Sequence, residues 1–115
     1  MTNHPAATVV GQVKKSLADG GRLLVECEES VHKDGSQMRG RWVFFLLNDA
    51  EDGETYRSQV VVWKTVEPKA IVTLNGLGAF ARELEINAAV FPLVAGTNGT
   101  WQREASTPKK RKKQK

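Results

Sequence analysis

Cysteine is nearly missing from this sequence: Cys27 is the only one in 115 residues. A disulfide framework within the chain is excluded, and a reducing compartment is the expected setting. One cysteine and two histidines, His4 and His32, are too few for the usual structural zinc sites. Neither a metal nor a cofactor is expected. Long apolar runs are missing as well. No stretch approaches the roughly 18 residues that cross a membrane, so no membrane partner is expected. Met1-Thr2-Asn3-His4-Pro5 lacks the basic segment and apolar stretch of a secretory signal, and none is expected.

What is present suits one globular domain, with 40% hydrophobic and 26% charged residues. The net charge of +4 is unevenly spread. Lys109, Lys110, Arg111, Lys112, Lys113 and Lys115 put six positive charges at the C-terminus, while residues 1–107 hold 11 basic and 13 acidic groups. The expected organisation is a near-neutral domain over 1–104 and a disordered basic tail over 105–115. Such a tail concentrates polyanions and says nothing about the fold.

Hydrophobic patterning predicts a mainly β domain. Thr8 to Lys15, with three valines and Gly11, reads as strand; the alternative is a short amphipathic helix on Val9, Val10, Val13 and Leu17, closed by Gly20-Gly21. Arg22 to Val31 alternates as a half-buried strand. His32 to Ser36 is a loop. Arg39 to Asn48, apolar on both faces from Trp42 to Leu47, is a central strand. Asp49 to Glu54 is an acidic hairpin loop, and Tyr56 to Val66 the next strand, broken by Pro68. Ala70 to Leu74 adds a short strand. Asn75 caps a helix with the stripe Leu77, Phe80, Ala81 and Leu84, ending near Asn87. Ala88 to Ala95 is a strand, Thr97-Asn98-Gly99 a hairpin turn, and Thr100 to Glu104 the last strand. With Thr8–Lys15 and Arg22–Val31 taken as one strand bent in two, and the short Ala70–Leu74 stretch left out, the order is three strands, a helix and two strands, which is that of a five-stranded OB-like barrel.

Catalytic motifs are weak. Gly76-Leu77-Gly78-Ala79-Phe80-Ala81 matches a dinucleotide pattern, but no acid lies between Glu85 and Glu104 to hold a ribose. Ala81 to Val90 has helix-turn-helix character, opposed by Glu85 at the turn and by Pro92. Asp49, Glu51, Asp52 and Glu54 lack calcium-loop spacing. The Glu67-Pro68-Lys69 nuclease spacing falls at a strand end. Cys27 lies on the apolar face of its strand, without a histidine brought to it. No enzyme is expected.

The aromatics carry more. Trp63 shares a strand face with Arg57, Gln59, Val61 and Thr65, which is polar apart from its ring, and a ring beside arginine on a sheet surface suits base stacking. Candidate base contacts are Trp63 and Arg57, then Trp101, Trp42 and Tyr56, with the six tail cations engaging phosphates. Tyr56-Arg57-Ser58-Gln59-Val60-Val61-Val62-Trp63-Lys64 resembles the third strand of bacterial single-stranded DNA-binding proteins. Phe80-Ala81-Arg82-Glu83-Leu84, Asn87 and Val90-Phe91-Pro92-Leu93-Val94-Ala95-Gly96 are similar to their helix, turn and fourth strand. Thr8-Val9-Val10-Gly11-Gln12-Val13 resembles their opening strand and that of primosomal replication protein N.

The resemblance covers roughly residues 8–104. It implies an OB-fold that binds single-stranded DNA by stacking, usually as a homo-oligomer, with Trp63 as the strand-ending aromatic. Thr65 to Leu74 is extra, and a basic tail stands where that family carries an acidic tip. A replication protein of a phage, plasmid or other mobile element is therefore expected, in the cytoplasm or nucleoid. Pro108-Lys109-Lys110-Arg111-Lys112 also resembles a nuclear import signal. The competing reading is a protein-binding inhibitor or adaptor whose tail only targets or solubilises.

Overall fold

The computed structural model describes residues 7–49 and 51–103. Along the chain run β1 (Ala7–Val9), α1 (Val10–Ala18), β2 (Arg22–Asp34), β3 (Gln37–Asp49), β4 (Thr55–Val61), β5 (Ala70–Thr73), α2 (Leu74–Glu83) and β6 (Asn98–Gln102). The domain is mainly β. One sheet contains all six strands in the order β1-β4-β3-β2-β6, with β5 also on β3.

The long β2–β3 hairpin forms the centre. Asp34 opposes Gln37, so only Gly35-Ser36 turns the chain. Gly35 has φ +64°, the left-handed geometry that the first turn residue of a tight hairpin needs and that glycine adopts without strain. The expected loop from His32 is thus mostly strand. β4 and β5 lie end to end on one edge of β3: β4 pairs with Phe45–Asp49, and β5 with the stretch from Arg39 to Val43. Residues 62–69 are a detour between them, tied by Val62 N–H to the Glu67 carbonyl at 2.8 Å and Lys69 N–H to the Val60 carbonyl at 2.9 Å.

Both helices pack on the same sheet face. Val13 and Leu17 of α1, and Leu77, Phe80 and Ala81 of α2, meet Leu23, Val25, Trp42, Phe44, Val60 and Trp101 in one core. Alternation along the strands sends Leu24, Glu26, Val43, Phe45, Leu47, Arg57 and Gln59 to the opposite face.

Four expectations are corrected. Residues 10–18 form a helix rather than continuing a strand, because Val10, Val13 and Leu17 then share a stripe that enters the core, and this burial outweighs β-propensity. The sheet does not close into a five-stranded barrel among the described residues. The early turn into α1 leaves β1 three residues long and paired only with Gln59–Val61, while β6 pairs only with β2. The helix expected between the third and fourth strands is α2, lying between β5 and β6; its N-terminal cap is Thr73, whose Oγ1 accepts from Gly76 N–H at 3.0 Å, rather than Asn75. Finally, Ala88 to Ala95 is not a regular strand and Thr97-Asn98-Gly99 not a hairpin turn. Asn98 and Gly99 pair with Glu26 and Val25 inside β6. The chain from Leu93 follows the β2 edge directly: Val31 N–H donates to the Leu93 carbonyl at 2.8 Å and Cys27 N–H to the Thr97 carbonyl at 2.9 Å. Gly99 is small because Val90 packs over it; a Cβ there would stand 2.9 Å from Val90 Cγ1.

Candidate nucleic-acid interface

The three tryptophans divide by environment. Trp42 and Trp101 are fully buried, whereas Trp63 is 77% exposed. Trp42 donates its indole N–H to the Pro92 carbonyl at 2.8 Å, and Trp101 donates to the Val90 carbonyl at 2.7 Å. Trp101 also stands among Phe44, Phe80 and Phe91, with ring centroids 6.0–6.3 Å away. These two rings hold the irregular 90–92 segment to the sheet. That role removes both from the candidate base-stacking surface.

Trp63 lies in the turn at the start of the 62–69 detour, past the end of β4 rather than within it. Val62, Val66 and Trp63 are all exposed there. Val66 has φ +57°, a left-handed conformation that is a genuine outlier for a β-branched residue. Strain of this kind costs on the order of 1–3 kcal/mol and concentrates at functional sites. Val66 N–H donates to the Val62 carbonyl at 2.7 Å and closes the turn.

The face opposite the helices adds a second feature. Phe45 stands between Leu24 on β2 and Gln59 on β4 in one cross-strand row. Arg57 occupies the neighbouring row toward Leu47, and Glu26 the neighbouring row toward Val43. Arg57 and Glu26 therefore reach each other diagonally across the ring. The guanidinium carbon sits 4.6 Å from the Phe45 centroid, and Nη1 is 3.5 Å from Glu26 Oε2. The ion pair lids the aromatic. An exposed pair of this kind contributes about 0–1 kcal/mol, against about 1–3 kcal/mol for stacking one base on an aromatic side chain. A guanidinium displaced by a base can stack on the base instead, so opening the lid is cheap.

Phe45 escaped the sequence reading. β3 is apolar on both faces, and only the register with Arg57 and Gln59 marks which ring meets polar neighbours. Tyr56 is half-buried, and its hydroxyl donates to Asp52 at 2.8 Å. That bond, with a smaller contribution from burial, raises the phenol pKa above its ordinary value. Tyr56 thus braces the acidic β3–β4 hairpin. Lys109, Lys110, Arg111, Lys112, Lys113 and Lys115 lie outside the described residues.

Cys27 is buried and donates Sγ–H to the Glu29 carbonyl at 3.1 Å. Burial pushes its thiol up, which disfavours the nucleophilic thiolate. Gly76, from the dinucleotide pattern, is small for a packing reason: a Cβ there would lie 2.9 Å from Thr73 Oγ1. Among the described residues after α2 there is no recognition helix: Glu85 has φ +63° and residues 88–97 contain no helix. Among the described residues no group of three His, Cys, Asp or Glu side chains could hold a metal ion, and no helix is long and apolar enough to cross a membrane. No family model, no curated protein and no solved structure matches this chain.

Proposed function

We propose that the protein binds single-stranded nucleic acid, DNA in the first place, by base stacking and without catalysis. The carrying observation is Trp63, a large ring left 77% exposed on a strained turn in a domain that fully buries its other two tryptophans. The turn leaves from β4, the strand that also presents Arg57 and Gln59 to the sheet face without helices. The basic tail supplies a sequence-independent attraction to phosphates. The element order is read as OB-like, with three meandering antiparallel strands, a helix and a returning strand, and with the barrel edges left apart. Oligo-dT added to a chain ending at Thr107 should quench tryptophan fluorescence. No quench and no binding at low salt would leave the tail as the sole contact and overturn the reading.

A second reading has its own observation. Val90, Leu93 and Val94 are exposed aliphatic side chains in the segment that leads into β6, and a base platform does not use them. A protein partner docking there suits an inhibitor or adaptor. Its signature is loss of a partner, with nucleic-acid affinity unchanged, when Leu93 becomes serine.

A further inference from the structure

Resting on the single-strand reading above, we infer that Phe45 is a second base platform, gated by the Arg57–Glu26 ion pair, and that the opened gate selects cytosine over uracil and thymine. The geometry carries this in three steps. With the guanidinium 4.6 Å from the ring centroid, no room remains for a base between them. A base that stacks on Phe45 must lift Arg57, and lifting it breaks the 3.5 Å contact with Glu26. Arg57 is the more exposed partner, its side chain 55% accessible against 31% for Glu26. The arginine therefore swings out, onto the outer face of the base or onto a phosphate. Glu26 stays beside the ring with its carboxylate unpaired.

An ionised carboxylate only accepts hydrogen bonds. Cytosine offers an amino group at position 4, and a carboxylate accepts from it. Uracil and thymine present a carbonyl oxygen at the same position, acceptor against acceptor, and must shift across the ring before the carboxylate can accept from their N3–H instead. The preference is therefore modest and rests on position 4 facing Glu26. Gln59, on the other flank of Phe45, both donates and accepts and so discriminates little. Glu26 is therefore the specificity-determining residue, and Phe45 is the platform beneath the base.

The test uses the full chain with oligo-dC and oligo-dU of equal length at slightly alkaline pH, followed by fluorescence anisotropy of a labelled oligonucleotide. These two bases share ring size and both lack the thymine methyl. A good base-edge contact discriminates by roughly 5- to 150-fold, and a single amine–carboxylate contact belongs near the lower end. Oligo-dC should thus bind at least about 5-fold tighter than oligo-dU. Glu26→Gln, isosteric and on a solvent-facing position, should bring the two affinities together, because the amide both donates and accepts. Trp63→Ala should weaken both oligonucleotides and keep the preference. Equal affinity of the native chain for both overturns the inference and leaves the single-strand reading standing. A cytosine preference that persists in a folded Glu26→Gln chain also overturns it. Binding of neither oligonucleotide overturns both.

Discussion

Replacing Trp63 and Trp101 in turn tests whether the exposed ring serves binding while the buried one serves the fold. Trp101→Ala removes a fully buried side chain packed among three phenylalanines. Core truncations of this size cost about 3–5 kcal/mol. The Val90 carbonyl would also lose its 2.7 Å indole donor, a part-buried hydrogen bond whose loss adds about 0.5–1.5 kcal/mol. Against a total stability of about 5–15 kcal/mol, that change removes a large share of the stability and should lower the urea midpoint sharply. Trp63→Ala removes a ring 77% exposed to solvent and should shift stability by no more than about 0.5 kcal/mol. Its effect belongs to binding: losing one base stack weakens affinity by about 1–3 kcal/mol, roughly 5- to 150-fold. Urea melts followed by far-ultraviolet circular dichroism give the first quantity without relying on tryptophan as a probe. Anisotropy of a labelled oligo-dT gives the second. The reasoning fails if Trp63→Ala loses more than about 1 kcal/mol of stability, or if it folds normally and binds as tightly as the native chain.

Other outcomes follow from the same geometry. Gly78 lies inside α2 with open space where a Cβ would stand, so Gly78→Ala should raise stability by about 0.4–1 kcal/mol, read as a higher urea midpoint. The Tyr56 phenol should titrate above its ordinary value near 10, and Asp52→Asn should bring it down. Because the folded chain holds that proton more tightly, the associated stability is complete below the unfolded pKa and is lost as pH rises through the raised one; melts on either side of that window check the sign. Deleting residues 108–115 removes six cations. It should flatten the slope of log affinity against log salt by at most about 4, at roughly 0.7 per neutralised phosphate, and leave the melting temperature nearly unchanged.

Alternation along single strands carried a good part of the fold into view. Alternation made β2 legible, apolar runs bounded by turn residues made β3 and β4 legible, and the stripe Leu77, Phe80, Ala81 and Leu84 located α2. Legibility stopped where tertiary burial or register decides. Val10, Val13 and Leu17 suit a strand by propensity and a helix by spacing, and the core contact of Val13 and Leu17 chooses the helix. Asn98-Gly99 has the composition of a tight turn, yet the need for a bare Cα under Val90 explains the glycine equally well. Trp101 alternates with Thr100 and Gln102, so its burial had a signal in the sequence; Trp42 did not, because β3 is apolar on both sides. Phe45 was hidden for that same reason. Its neighbours Arg57 and Glu26 are 12 and 19 positions away in sequence and come together only through the pairing of three strands.

Charge pairing on the open face bears on how single-strand binding would divide between the two parts of the chain. Arg22 meets Asp49 at 2.7 Å, Arg41 meets Glu28 at 2.9 Å, and Arg57 meets Glu26 at 3.5 Å. Each arginine given up to a phosphate leaves a carboxylate behind on the same face, and the repulsion between that carboxylate and the strand offsets much of the gain. Surface pairs are weak enough to be exchanged, but exchanging them yields little net attraction. On the proposed reading, the domain would therefore contribute through contacts that do not depend on net charge: stacking on Trp63 in the turn after β4 and on Phe45 in the sheet, and hydrogen bonds to base edges. On that reading, counterion release would fall to the six cations of the tail, which carry no base information. Affinity and selectivity would then reside in different segments, so that salt weakens binding to every sequence alike while leaving the ratio between two bases unchanged.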